Sequence, residues 1–275
     1  MNTIVIKSMT KYYGKNKGIE NVNLEVKEGE IFGFVGKNGA GKTTTIRSLL
    51  NMITPNSGQA SICGLDCLRQ TKEIKKITAY LPGEVEYYQG MKVIDLLNYA
   101  LSFCEEKDYA YVNKLCEYFE LDKNRKINEL SLGNRKKIGV IQALLKKPKV
   151  IILDEPTSGL DPLMQAKVFD VLIKEKKKGV TIFLSSHNLQ EIEKYCDRVA
   201  IIKDGEIVEV IEMNGKAREK KLLVRYVTSD NTEQKYVYSG NINDLIAELN
   251  KMDLTSLEIK YQSIEEEFQK FYKGE

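Results

Sequence analysis

The sequence has no apolar run approaching the roughly 20 residues that a membrane-spanning helix needs; Val150-Ile151-Ile152-Leu153 is short and stops at two carboxylates. The N-terminal residues lack a signal-peptide pattern, so the chain is expected to stay in the cytosol. Cysteine is scarce: five residues, an odd number with no Cys-x-x-Cys pair, speak against a disulfide framework or a zinc site. Cys63 and Cys67 are near neighbours, but the single histidine, His187, is distant in the chain. A charge imbalance is missing too. Against 42 basic residues stand 39 acidic ones, and a net charge of +3 is too small to argue for a nucleic-acid-binding surface, so no nucleic-acid partner is expected. Neither an internal repeat nor a low-complexity stretch is present.

What remains is a folded chain of ordinary composition, 42% hydrophobic and 29% charged over 275 residues, long enough for one large domain and a small appendage. Short continuous apolar runs (Ile4 to Ile6, Ile31 to Val35, Val150 to Leu153, Val180 to Leu184, Val199 to Ile202) alternate with helical patterns. Strands buried on both faces read this way, which predicts a largely parallel sheet covered by helices. From about residue 85 to 135 the strand signal gives way to amphipathic helical spacing, as in Val93 to Leu97 and Val112 to Phe119, and predicts a helical insertion. After Gly215 a lysine-rich linker leads to strand-like Leu222 to Val227 and Lys235 to Tyr238, a helix near Ile242 to Leu249, and a strand over Leu257 to Tyr261. A final helix is expected beyond it, with Ser263 and Glu266 as its capping box. The predicted division is residues 1–215 and a small α+β domain at 216–275.

Between the second strand-like run and a helix lies Gly36-Lys37-Asn38-Gly39-Ala40-Gly41-Lys42-Thr43, two glycines of the P-loop spacing followed by Lys and Thr. Glycines let successive N–H groups turn inward, and the following helix adds its positive end, which suits a triphosphate. Lys42 would reach the outer phosphates. The Thr43 hydroxyl would ligate Mg2+, a hard cation that prefers oxygen. Asp154 and Glu155 stand where a buried strand emerges. They fit a division of labour in which Asp154 holds the magnesium or its water and Glu155 orients and deprotonates the attacking water; a strand end meeting solvent reads equally well in isolation. His187 follows another strand-like run and would reach the same sheet edge, where ligands gather in parallel sheets.

In their order, Gly36 to Thr44, Leu130-Ser131-Leu132-Gly133-Asn134, Leu153-Asp154-Glu155-Pro156, Ser158-Gly159-Leu160-Asp161 and Ser186-His187 resemble the motifs of ABC ATPases over roughly residues 1–212. The tail is more weakly similar to subunits of drug- and peptide-export systems. The resemblance implies a P-loop NTPase core of α/β class, with a mainly parallel sheet, an antiparallel β subdomain, a helical insertion and the small C-terminal appendage. It implies ATP and Mg2+ as cofactors, with Gly36, Asn38, Gly39, Ala40, Gly41, Lys42, Thr43 and Thr44 on the nucleotide and Thr43 and Asp154 on the metal. Glu155 and His187 become catalytic, His187 through the γ-phosphate and the water. Ser131 and Gly133 meet the γ-phosphate held by the opposite subunit, and Asp161 links the two sites. Tyr13 aligns with the aromatic that stacks on adenine, with Tyr12 as the neighbouring alternative. Two positions depart from the family pattern. Gly83 stands where a glutamine touching magnesium and water is usual, with Glu84 as a substitute, and Leu132 replaces the second residue of Leu-Ser-Gly-Gly.

The implied partners are an integral membrane permease and a second ATPase subunit, a homodimer, with the chain peripheral on the inner face of the membrane and transport in the export direction. A soluble mechanical or regulatory ABC ATPase is the alternative. The segment Val85 to Met91 is expected to help dock the permease, with Tyr87 or Tyr88 facing outward, since adjacent side chains rarely point the same way.

Overall fold

The computed structural model describes residues 1–88, 90–213 and 222–261, and the chain divides into two compact units, Met1–Ile211 and Glu212–Glu275. The first opens with an antiparallel hairpin, β1 (Asn2–Tyr13) and β2 (Asn16–Lys27). Along β2, Ile19, Val22, Leu24 and Val26 are buried while their neighbours are mostly solvated, the alternation of a sheet with one dry face. In contrast β3 (Ile31–Val35) is buried at every position, then leads through the glycine-rich loop into α1 (Lys42–Leu49). Next, β4 (Ser57–Ile62) and β5 (Leu65–Asp66) complete an antiparallel sheet of order β2-β1-β4-β5.

A short helix, α2 (Thr71–Ile77), precedes β6 (Thr78–Leu81). The helical insertion follows as α3 (Val93–Ser102), α4 (Tyr109–Tyr118) and a 3-10 turn at Ile127–Glu129, ahead of α5 (Leu132–Leu145). Strand and helix then alternate through β7 (Val150–Asp154), α6 (Pro162–Lys177), β8 (Thr181–Ser186), α7 (Leu189–Tyr195) and β9 (Arg198–Lys203), and β10 (Glu206–Glu212) follows directly. These strands build a second sheet, ordered β10-β9-β3-β8-β7-β6, in which β9, β3, β8, β7 and β6 pair in parallel. Its register sets Val35 opposite Ser186 and Asp154 opposite Ser185, so the C-terminal ends of β3, β8 and β7 share one edge. Phe32, Phe34 and Phe183 are fully buried in the core, with the rings of Phe32 and Phe183 stacked at 5.9 Å.

The second unit contains β11 (Leu222–Thr228), β12 (Glu233–Tyr238), α8 (Ile242–Leu249) and β13 (Leu254–Tyr261), with an antiparallel order β12-β11-β13. Leu245 and Leu249 of α8 pack with Leu222 and Val224. The last strand begins at Leu254, earlier than the apolar run from Leu257 predicts, because Leu254 pairs with Thr228 across a register shift. The lysine-rich linker and the Ser263–Glu266 capping box lie outside the described residues. Among those described, no helix is long and apolar enough to cross a membrane. The architecture is thus mixed α/β: a mainly parallel sheet, an antiparallel sheet, a helical insertion and an α+β appendage.

Candidate active site

The loop after β3 needs small residues. A Cβ on Gly36 would stand 2.5 Å from the Ile202 carbonyl oxygen, and Gly41 combines φ 110° with a backbone oxygen, that of Gly18, 2.9 Å from where its Cβ would be. Asn38 and Gly39 are exposed at the loop tip, and Ala40 is buried. Gly41 forms the N-cap of α1 without a side-chain cap, so the helix presents its first N–H groups and positive dipole end to the loop. Lys42 is 6% exposed; its Nζ donates to the Gly36 carbonyl at 2.7 Å and to that of Lys37 at 3.3 Å.

The ends of β7 and β8 supply acidic and hydroxyl groups. Asp154 is 2% exposed, yet both its oxygens accept hydrogen bonds: Oδ2 from Thr43 Oγ1 at 2.8 Å, Oδ1 from Ser185 Oγ at 2.5 Å. A carboxylate this deep would be costly without such partners. Glu155 adopts φ 49°, uncommon for a residue with a side chain. Its amide donates to both the carbonyl oxygen and Oγ of Ser185, each at 3.1 Å. Its carboxylate bridges two nitrogens, with Oε1 3.6 Å from Lys42 Nζ and Oε2 3.2 Å from His187 Nδ1. Lys42, Thr43, Asp154, Glu155 and His187 therefore converge. Thr43 and Asp154 offer oxygen only, a donor pair that would fit a hard cation such as Mg2+.

Tyr13 is exposed, its hydroxyl 3.5 Å from Thr44 Oγ1, whereas the Tyr12 hydroxyl donates to Glu20 Oε1 at 2.6 Å. The ring next to the phosphate loop is that of Tyr13. Ser131, Gly133 and Asp161 form a separate group. Ser131 Oγ caps α5 by accepting from Asn134 N at 3.3 Å, and Asp161 caps α6 by accepting from Met164 N at 3.0 Å. A Cβ on Gly133 would come within 2.8 Å of the Gly159 carbonyl oxygen, so the two capped segments touch there. Leu132 is 76% exposed, in keeping with a position that tolerates a side chain.

Sequence reading passed over two neighbours. Ser185, at the end of β8, holds both members of the acidic pair. Lys136, on α5, donates to the Gly83 carbonyl at 2.6 Å, while Glu84 is exposed. Beyond this turn a cavity of about 470 Å³ opens, lined among others by Tyr80, Leu81, Val85, Tyr87, Gly139 and Ala143. Tyr87 is half-buried, its hydroxyl donating to the Arg135 carbonyl at 3.4 Å, and Tyr88 is 77% exposed.

Known proteins share this outline. Residues 19–158 match the family model of the ABC transporter. The bacitracin transport ATP-binding protein BcrA of Bacillus licheniformis is 34% identical over 307 aligned positions, which take in 100% of this chain and 99% of that protein. A solved ATP-binding subunit of an ABC transporter superposes with a TM-score of 0.72 at 28% identity, covering 77% of this chain and 90% of its own. A dimeric bacterial ABC transporter cassette gives 0.70 at 25% identity, covering 77% and 99%. A loop built for phosphate at the edge of a parallel sheet, facing an acidic pair, defines a P-loop ATPase. More particularly, the chain belongs to the ABC transporter family as an ATP-binding protein, and its activity is ATP hydrolysis.

Proposed function

We propose that two copies of this chain close around two ATP molecules and drive a separate integral membrane permease, most simply as an exporter held at the inner face of the membrane through that permease. The carrying observation is the Lys42–Glu155–His187 bridge beside the Thr43–Asp154–Ser185 chain. On this reading residues 1–215 are the nucleotide-binding domain, with a helical subdomain over about 85–135, and 216–275 a small C-terminal domain. The loop from Gly36 to Thr44, with Asn38, Gly39, Ala40 and Gly41, wraps the phosphates, and Tyr13 stacks on the base. Thr43 and Asp154 hold Mg2+, which supplies charge neutralisation on the phosphates.

Glu155 accepts the proton of a water as the water's oxygen bonds to the γ-phosphorus and the bond to the β,γ-bridging oxygen breaks, leaving ADP and phosphate. His187 orients that water and the γ-phosphate. Lys42 neutralises negative charge on the outer phosphates. From the other copy, Ser131 and Gly133 meet the γ-phosphate through a helix N-terminus, and Asp161 joins the two sites. A homodimer is supported by the dimeric cassette relative, and a transport role by the name of the bacitracin transport relative. Both relatives contribute support by likeness.

The test is Glu155→Gln, which keeps the shape but accepts a proton poorly. Its ATP affinity should stay within about threefold of wild type while kcat falls roughly a hundredfold or more, and ATP should trap a dimer visible by size-exclusion chromatography. Wild-type turnover by this variant would remove Glu155 from the role.

A further inference from the structure

Lys136 is the one charged side chain of α5 whose bonds lead back toward the acidic pair. It is 3% exposed, its Nζ donating to two neutral acceptors, the Gly83 carbonyl at 2.6 Å and that of Pro82 at 3.4 Å. The Pro82–Gly83 turn in turn lies against Asp154, for a Cβ on Gly83 would stand 3.5 Å from Asp154 Oδ2. Burial pushes the Lys136 ammonium down from its ordinary pKa, and the charges of Asp154, Glu155 and Glu84 oppose that shift.

Packing alone does not call for such a residue. Taking an ammonium out of water costs several kcal/mol, and an apolar side chain of similar volume often serves a core better. Two carbonyls do not repay that cost as an ion pair would. What the ammonium gains is the field of the carboxylates that form the site, and what it holds is the turn lying on one of them. The same helix starts immediately after Ser131.

We infer that Lys136 is a positioning residue for hydrolysis: gripping the Gly83 carbonyl, it fixes the Pro82–Gly83 turn against Asp154 and ties the placement of that carboxylate, and of Glu155 next to it, to the position of α5. A second copy bearing on Ser131 would thereby reach its partner helix and the carboxylates behind it through one ammonium. This rests on the reading of Glu155 as the group that takes the water's proton. No contact between Lys136 and nucleotide is required, so its loss falls on turnover rather than on ATP binding.

The experiment compares Lys136→Met, Lys136→Gln and Lys136→Arg with wild type in the purified full chain, reading ATP affinity by calorimetry, steady-state kcat and KM, and Tm. Because small displacements at a reacting centre cost up to about a hundredfold, Lys136→Met and Lys136→Gln should lower kcat about ten- to a hundredfold with KM and ATP affinity within about twofold. Tm should not fall, and Lys136→Arg, which keeps charge and donors, should recover most of the turnover. Wild-type kcat in Lys136→Gln overturns the inference. So does equal loss in the Gln and Arg variants, or a parallel fall of Tm and ATP affinity in both, which marks a packing residue. If Lys136→Met does not fold, the Gln and Arg pair decides. Failure of the underlying reading shows separately, as wild-type turnover by Glu155→Gln in the same assay.

Discussion

Lys42 spends its ammonium on the carbonyls of its own loop and lies near Glu155. Hydrogen bonds to charged groups contribute about 1.5–3 kcal/mol, so Lys42→Ala should weaken ATP binding roughly 10- to 100-fold, with turnover falling in step. Unchanged affinity by calorimetry with Mg2+ present would contradict the assignment. Residue types at the loop and at Asp154-Glu155 are legible in sequence because the chemistry admits few substitutes: glycine where a Cβ strikes the Ile202 carbonyl, a hard oxygen donor at Thr43. Ser185 and Lys136 were not legible. Serine and lysine are common, and only the parallel register that sets Asp154 opposite Ser185, or the reach of a buried side chain across to Gly83, distinguishes these two.

Elements followed the same division. Continuous apolar runs announced β3, β7, β8 and β9, whose every interior position is buried. By contrast β2 and β4 escaped, since a strand with one wet face offers an apolar residue only at alternate positions and β4 is Ser57-Gly58-Gln59-Ala60-Ser61-Ile62, with a single buried residue. α5 starts just after Ser131, whose side chain caps it. Gly133 gives that element a test. A methyl there meets the Gly159 backbone oxygen at 2.8 Å, and backbone cannot yield as a long side chain can. Overpacking of this kind costs typically 1–3 kcal/mol, so Gly133→Ala should lower Tm by roughly 2–10 °C in calorimetry. Melting identical to wild type would mean that the two capped segments do not press on each other at this point.

At the scale of the whole molecule the proposed assembly turns on the cavity lined by Tyr87 and on exposed Tyr88, its neighbour in the chain. Tyr87 is held by the Arg135 carbonyl, and burial raises its phenol well above the usual range, so Tyr88, 77% exposed, is the anchor to remove. Interface aromatics of this sort commonly cost about 2 kcal/mol or more on truncation, which predicts roughly 30-fold weaker association of Tyr88→Ala with the permease in a pull-down titration. Wild-type assembly and transport by that variant would place the docking surface elsewhere. Glu155 bears on the molecule as a whole in a different way. Its left-handed backbone, φ 49°, is a conformation that glycine or asparagine takes at less expense, so the fold carries a standing cost of order 1 kcal/mol at the residue that the proposed chemistry needs most. A library selected for heat resistance alone should therefore discard Glu155 early, and one selected for survival through transport should keep it; the distance between those two outcomes measures how much stability this protein forgoes in order to turn over.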